Sequence, residues 1–169
     1  MATIQSDITL GDYVAWEEIT FDWARAFDTK DWNLLLSILA PKFSLDYTEV
    51  YGFKDDNMTP EAYVAMCNST DMLGDRGVKT QHLLVASKVR KLSSTKATAW
   101  RQIRAGHVKF DIDTAQETAK AHGQGMLQFF YEKVDESQWK LCGLKAYSDF
   151  FEGNIRSVFP TFPEVDMKF

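Results

Sequence analysis

The second half of the chain is a succession of strand-like runs with very little between them. Residues 78–89, 97–110, 118–134 and 139–144 all read as extended segments. The first three are separated only by the turn at residues 92–96 and a polar connection at 111–117. Strands joined this tightly pair antiparallel, because a parallel crossover needs roughly a dozen residues or more. Gly106, Gly123 and Gly125 fall inside these runs. They predict bulges or close backbone approaches, the devices that curl a sheet.

The first half has helical periodicity. Tyr13, Trp16, Ile19, Thr20, Trp23 and Phe27 recur on one helical face, with Asp12, Glu17, Glu18, Asp22 and Arg25 mostly between them. Thr9 followed by Asp12 looks like a variant capping box at its start. The spacing predicts about five turns, ending at a break over Asp28-Thr29-Lys30-Asp31. Trp32, Leu35, Leu36 and Leu39 predict a short second helix, capped by Asp31 or Thr29 and ended by Ala40-Pro41. Phe43, Leu45 and Tyr47 alternate with polar residues, as in a half-buried strand. Residues 52–57 read as a loop. Thr59-Pro60-Glu61 then opens a helix to about residue 68 that buries Tyr63 and Met66. Residues 73–77 read as another loop.

Residues 147–169 form an apolar tail, with Phe150, Phe151, Ile155, Val158, Phe159 and Phe162 and a short helix. Without repeats or linkers, residues 1–169 are expected to form a single domain, with 147–169 as its C-terminal tail. Helices first and a curled sheet after give an α+β fold: a cone-shaped antiparallel or mixed sheet covered by the N-terminal helices. An apolar cleft between the two layers is where a ligand would sit.

Composition narrows the function. The chain is 45% apolar and 14% aromatic, with 5 Trp and 12 Phe, which points to a bulky core, a ring-lined cavity, or both. The net charge of -5 and the scattered basic residues argue against a nucleic-acid partner. No apolar run is long enough to span a membrane. The first residues lack the basic and apolar regions of a signal peptide, so a cytoplasmic location is expected. Cys67 and Cys142 lack metal-ligand spacing and are expected to be reduced thiols.

Of three histidines, His82 and His107 lie in apolar strands that should be neighbours. Adjacent strands bring inward side chains within reach of each other, and imidazole titrates near neutrality. Either histidine alone could be a satisfied core residue. His122, at the start of its strand, reads as structural or exposed. Asp28 could be a turn former, or could hold a histidine tautomer through its N–H. Tyr47 shares the parity of Phe43 and Leu45, so its ring is expected to be buried and its hydroxyl to need a partner. No phosphate loop, nucleophile elbow or metal motif occurs. The chemistry on offer is acid–base work on a small molecule, with no cofactor and no metal.

The block FDWARAFDTKDWNLLLSILAPKFSLDY, then TPEAYVAM, MLGD, KTQHLL, RQIRAGHVKF and WKLCGLK, resembles the fungal scytalone dehydratase family in order and spacing. The resemblance runs from about Asp12 to Lys145 and implies the cone of the nuclear-transport-factor-2-like superfamily. It also implies a cofactor-free homo-oligomer, a trimer with a dimer as the alternative. That family dehydrates a hydroxylated tetralone-type polyketide on the way to melanin. Carried over by position, the resemblance puts the catalytic groups at Asp28, Tyr47, His82 and His107. It puts Trp23, Phe27, Val50, Met66, Met72, Gly125, Leu127, Leu144, Ile155 and Phe159 around the substrate, the tail serving as a lid. Phe27, Gly125 and Leu127 stand where the family has a tyrosine, a serine and an asparagine. These departures imply a paralogue with a more apolar or larger substrate.

The expected activity is therefore a cofactor-free dehydratase acting on a hydroxylated cyclic ketone. His82 is the expected proton shuttle, with His107 bonded to Asp28 and Tyr47 on the carbonyl, a water replacing the hydroxyl missing at Phe27. An isomerase or cyclase on a secondary-metabolite intermediate is the alternative, since ring closure needs shape more than hydrogen bonds. A non-catalytic binding module is the third reading.

Overall fold

The computed structural model describes residues 7–135 and 137–164. The last five residues of the expected tail lie outside them. Helix α1 spans Leu10–Thr29, with the Thr9 hydroxyl accepting from the Asp12 N–H at 3.1 Å. The helix does not break at Asp28. It continues to Thr29, and Lys30 closes it in the left-handed conformation at φ 58°. Asp28 therefore sits in an intact last turn. Helix α2, Trp32–Ile38, is capped by the Asp31 side chain, which accepts from the Leu34 N–H. Ala40 and Pro41 belong to the strand that follows, β1, Leu39–Tyr47.

A one-turn helix α3, Thr48–Tyr51, leads into β2, Phe53–Met58. The polar stretch expected to be a loop is thus an edge strand. Its side chains are mostly exposed, so no apolar alternation marks it. Helix α4, Pro60–Cys67, starts at the Thr59 cap as expected. Strands β3 (Val78–Lys91), β4 (Lys96–Phe110), β5 (Glu117–Lys133) and β6 (Trp139–Gly153) follow, then a one-turn helix α5, Ile155–Val158. The final strand is nine residues longer than the spacing predicts (144 against 153) because β5 pairs with it as far as Gly153. The first part of the expected tail, up to Gly153, is therefore sheet.

The six strands form one open, mixed sheet in the order β2-β1-β6-β5-β4-β3. All neighbours are antiparallel except β1 and β6, which run parallel. The curl comes from register shifts, including one at Gln124/Gly125 and one at Val85/Ser87, where Ala86 has φ 39°. Gly106 and Gly123 stay in register with both neighbours and instead admit close approach. A Cβ on Gly106 would lie 3.0 Å from the His122 ring, and one on Gly123 would lie 3.1 Å from Phe151.

Helix α1 lays Trp16, Ile19, Trp23 and Phe27 onto the concave face. Trp16 is fully buried, 6.1 Å from Tyr131 and edge-on to Trp139 at 5.2 Å. Asp12, which the periodicity leaves between the apolar positions, is buried too. Its carboxylate accepts from the Trp139 indole at 2.9 Å and pairs with Lys91. The ion pair ties the start of α1 to β3, and the indole hydrogen bond ties it to β6. Burial opposes the Asp12 charge, but hydrogen bonds from Lys91, Trp139 and Thr9 outweigh it and hold the carboxyl down to about 2. Both cysteines are free thiols, and no helix of the described residues is long and apolar enough to cross a membrane.

Candidate active site

The other end of the cone encloses a cavity of about 140 Å³. His82, on β3, and His107, on β4, both project into it. The pairing register sets their relation. Thr80 lies opposite His107 and His82 opposite Ala105, so the histidines are diagonal neighbours on one face. Their ring centroids are 6.0 Å apart. Trp23 and Phe27 from α1 wall one side of His82, at 5.3 and 5.4 Å, and Phe159 stands edge-on to His107 at 5.0 Å.

Each imidazole is tied back to the protein through Nδ1. His82 Nδ1 lies 2.8 Å from Asp28 Oδ1, and the backbone N–H of His82 donates to the same carboxylate at 3.0 and 3.1 Å. A carboxylate offers only acceptors, so His82 carries its proton on Nδ1 and leaves Nε2 free. The expected bond between Asp28 and His107 is not made. Asp28 is on the last turn of α1, which packs beside β3, and β4 lies one strand further away.

His107 bonds Thr80 instead, Nδ1 to Oγ1 at 2.8 Å. The Thr80 hydroxyl has one proton, and it goes to the Gly106 carbonyl at 3.0 Å. Thr80 must therefore accept from His107 Nδ1–H, which again leaves Nε2 as the free nitrogen. Burial, with help from His82, His122 and Lys30, pushes His107 down to about 3. His107 is thus a neutral imidazole with an unshared lone pair.

Tyr47 lies at the end of β1 with its ring on the cavity wall. The Tyr63 hydroxyl accepts from the Trp23 indole N–H at 3.2 Å and stands beside the Tyr47 phenol. Burial raises the phenol, with Cys67 beside it adding to the shift, so it stays a donor at neutral pH.

Trp23, Phe27, Val50, Met66, Met72, Gly125, Leu127, Ile155 and Phe159 all line the same cavity. Leu144 does not. It faces Phe129 across the β5–β6 pair and is 1% exposed, within the core. Asp28 lies behind His82, toward a surface groove, with its side chain 20% exposed. Gly125 has a steric reason to be glycine. At the bulge, a Cβ would lie 2.0 Å from the Tyr147 carbonyl oxygen, so this backbone has no room for a serine. His122 is on the strand parity opposite to Ala121, Gly123 and Gly125 and lies outside the cavity. Sequence reasoning missed Thr80, Tyr51 and Cys67 at the site. Thr80 was findable, two residues before His82 and therefore on the same strand face.

The family profile for scytalone dehydratase matches residues 7–164. The chain belongs to the scytalone dehydratase family. It is 41% identical to scytalone dehydratase arp1 of Aspergillus fumigatus over 149 residues, covering 88% of each chain. It is 31% identical over 140 residues to the scytalone dehydratase of Pyricularia oryzae, covering 82% of this chain and 81% of that one. This scytalone dehydratase family member is accordingly an enzyme of the dehydratase, carbon–oxygen lyase type. Its fold recurs at low identity. A Kribbella flavida protein matches with TM-score 0.71 and 18% identity over 83% of this chain and 93% of its own. A hexachlorocyclohexane dehydrochlorinase from Novosphingobium barchaimii matches with TM-score 0.68 and 14% identity over 86% of this chain and 91% of its own.

Proposed function

We propose that this enzyme eliminates water from a hydroxylated cyclic ketone of the polyketide type. The observation that carries the reading is the pair of imidazoles facing one apolar cavity. Both have Nδ1 fastened to the protein and Nε2 free. The scytalone dehydratases among its relatives lend the substrate class.

In the proposed reaction, Tyr47 donates to the ketone oxygen. His82 Nε2 takes the proton from the carbon beside the carbonyl, and the C–H electrons form an enolate whose oxygen keeps the hydrogen bond from Tyr47. The enolate then collapses, the carbonyl re-forms, and the C–O bond one carbon further out breaks. The departing oxygen takes the proton back from His82 and leaves as water. One substrate gives one unsaturated ketone and one water, and His82 returns to its starting state. Asp28 holds the tautomer and faces the imidazolium that forms between the two steps. His107, neutral with a free lone pair, accepts from the substrate hydroxyl and orients it for departure. General acid–base help of this kind contributes roughly 10²–10⁴-fold.

Mass spectrometry of hydroxylated tetralones incubated with wild type and with His82→Ala tests the reading. Loss of water with the wild type alone is the expected result. A second reading, isomerase or cyclase, draws on Phe27, Gly125 and Leu127, which bring no side-chain hydrogen-bonding group to the cavity. It calls for a new product of unchanged mass.

A further inference from the structure

Tyr51 follows Tyr47 by one turn across α3, so the two rings lie on the same side. Their centroids are 6.3 Å apart and their planes 16° from parallel. Phe162, from the C-terminal segment, sits 4.5 Å from the Tyr51 ring. Both tyrosines line the cavity. Burial raises both phenols, with Cys67 adding to each, so both are donors at neutral pH. They differ in what serves them. Tyr47 stands beside the Tyr63 hydroxyl, which is among the causes of its shift. The Tyr51 hydroxyl has no hydrogen-bond partner among the described residues; burial and Cys67 account for its shift. A phenol on a cavity wall with no partner in the protein is free to bond whatever occupies the cavity.

The remaining walls show what that is. Phe27 has no hydroxyl, and the positions of Gly125 and Leu127 offer no side-chain polar group. Of the phenols on the cavity wall, Tyr147 on β6 donates to Gln128 at 3.2 Å, which leaves Tyr47 and Tyr51 on the β1–α3 side. We propose that Tyr51 donates a hydrogen bond to a second oxygen of the substrate, away from the carbon that loses its hydroxyl. It thereby selects ring systems that carry two oxygens over those that carry one. The proposal rests on the dehydratase reading for the bicyclic ketone class, and its test is separable from turnover.

Naphthalen-1-ol and a panel of naphthalenediols are product-like probes that bind without reacting. Their affinities are read from quenching of tryptophan fluorescence, since Trp23 forms part of the wall. Wild type is expected to bind at least one diol about tenfold more tightly than the mono-ol, the size of one neutral hydrogen bond made away from water. Tyr51→Phe removes one oxygen and keeps both ring contacts. It is expected to erase that preference while leaving the mono-ol affinity and the melting temperature unchanged. A variant that keeps the preference, a wild type with none, or equal weakening toward both probe types overturns the proposal. Turnover of 3-hydroxy-1-tetralone is measured alongside. A Tyr51-dependent diol preference without water loss upholds Tyr51 and removes the dehydratase reading. Water loss without the preference does the reverse.

Discussion

Asp28 holds His82 twice, through the ring Nδ1 at 2.8 Å and through the backbone N–H at 3.0 and 3.1 Å. One carboxylate thus fixes both where the imidazole sits and which nitrogen carries its proton. Asp28→Asn keeps the shape but offers an amide that can face the ring with the wrong group, so the tautomer is no longer enforced. We expect kcat to fall by roughly 10²–10⁴-fold. The melting temperature, measured by circular dichroism, should move by only a few degrees. A variant turning over near the wild-type rate would separate Asp28 from the chemistry.

Thr80 does for His107 what Asp28 does for His82, with a hydroxyl in place of a charge. Thr80→Val leaves the buried His107 N–H without an acceptor, at a cost of about 1–3 kcal/mol in stability. Thr80→Ser should restore both stability and rate. Denaturant titration and steady-state kinetics on the two variants distinguish tautomer control from mere space filling, since valine fills the site as well as threonine does.

The pH dependence of stability should carry a His107 signature. Its folded-state value is pushed from 6.5 down to about 3, so between those values the unfolded chain binds more protons than the folded one. Stability from this group is complete above about 6.5 and declines as the pH falls toward 3. His107→Asn should flatten the decline in urea midpoints between pH 7 and pH 4. Asp12 does not confuse the measurement. Its carboxyl is held down to about 2, so its contribution is lost only below its ordinary value of 3.8. An unchanged slope in His107→Asn would place the titrating group elsewhere.

Gly125→Ser restores the residue type that the family resemblance implies, but into a bulge with a carbonyl oxygen 2.0 Å from the new Cβ. The strand pair has to shift, and we expect a loss of about 1–3 kcal/mol by thermal or urea unfolding, with no gain in rate. A stable, faster Gly125→Ser enzyme would mean that the bulge relaxes freely.

Much of this was legible along the chain. Thr9, Asp31 and Thr59 announced their helix starts because a cap is a local bond between residues three apart. The core strands showed in their alternation, and their short turns dictated antiparallel pairing. Strand β2 did not show, since an exposed edge strand has no apolar pattern to display. The end of β6 was hidden as well, because its last nine residues are held by pairing with β5 and not by their own composition. The parallel contact of β1 with β6 joins residues about a hundred positions apart, and no local signal encodes it.

The same division runs through the site. Residue type and strand parity alone brought out His82, His107 and Tyr47, and family resemblance added the ring of apolar contacts. The sequence by itself therefore determined which groups are present and which local elements carry them. Only the tertiary structure decided who pairs with whom. Asp28 takes His82 and not His107 because α1 packs beside β3, which places β4 a strand too far. Leu144 turns into the core, while Tyr51 lines the cavity with no hydrogen-bond partner for its hydroxyl among the described residues. Hydrogen bonds act over about 3 Å. A spacing along the chain cannot resolve that distance between elements, whereas helix-on-sheet packing can.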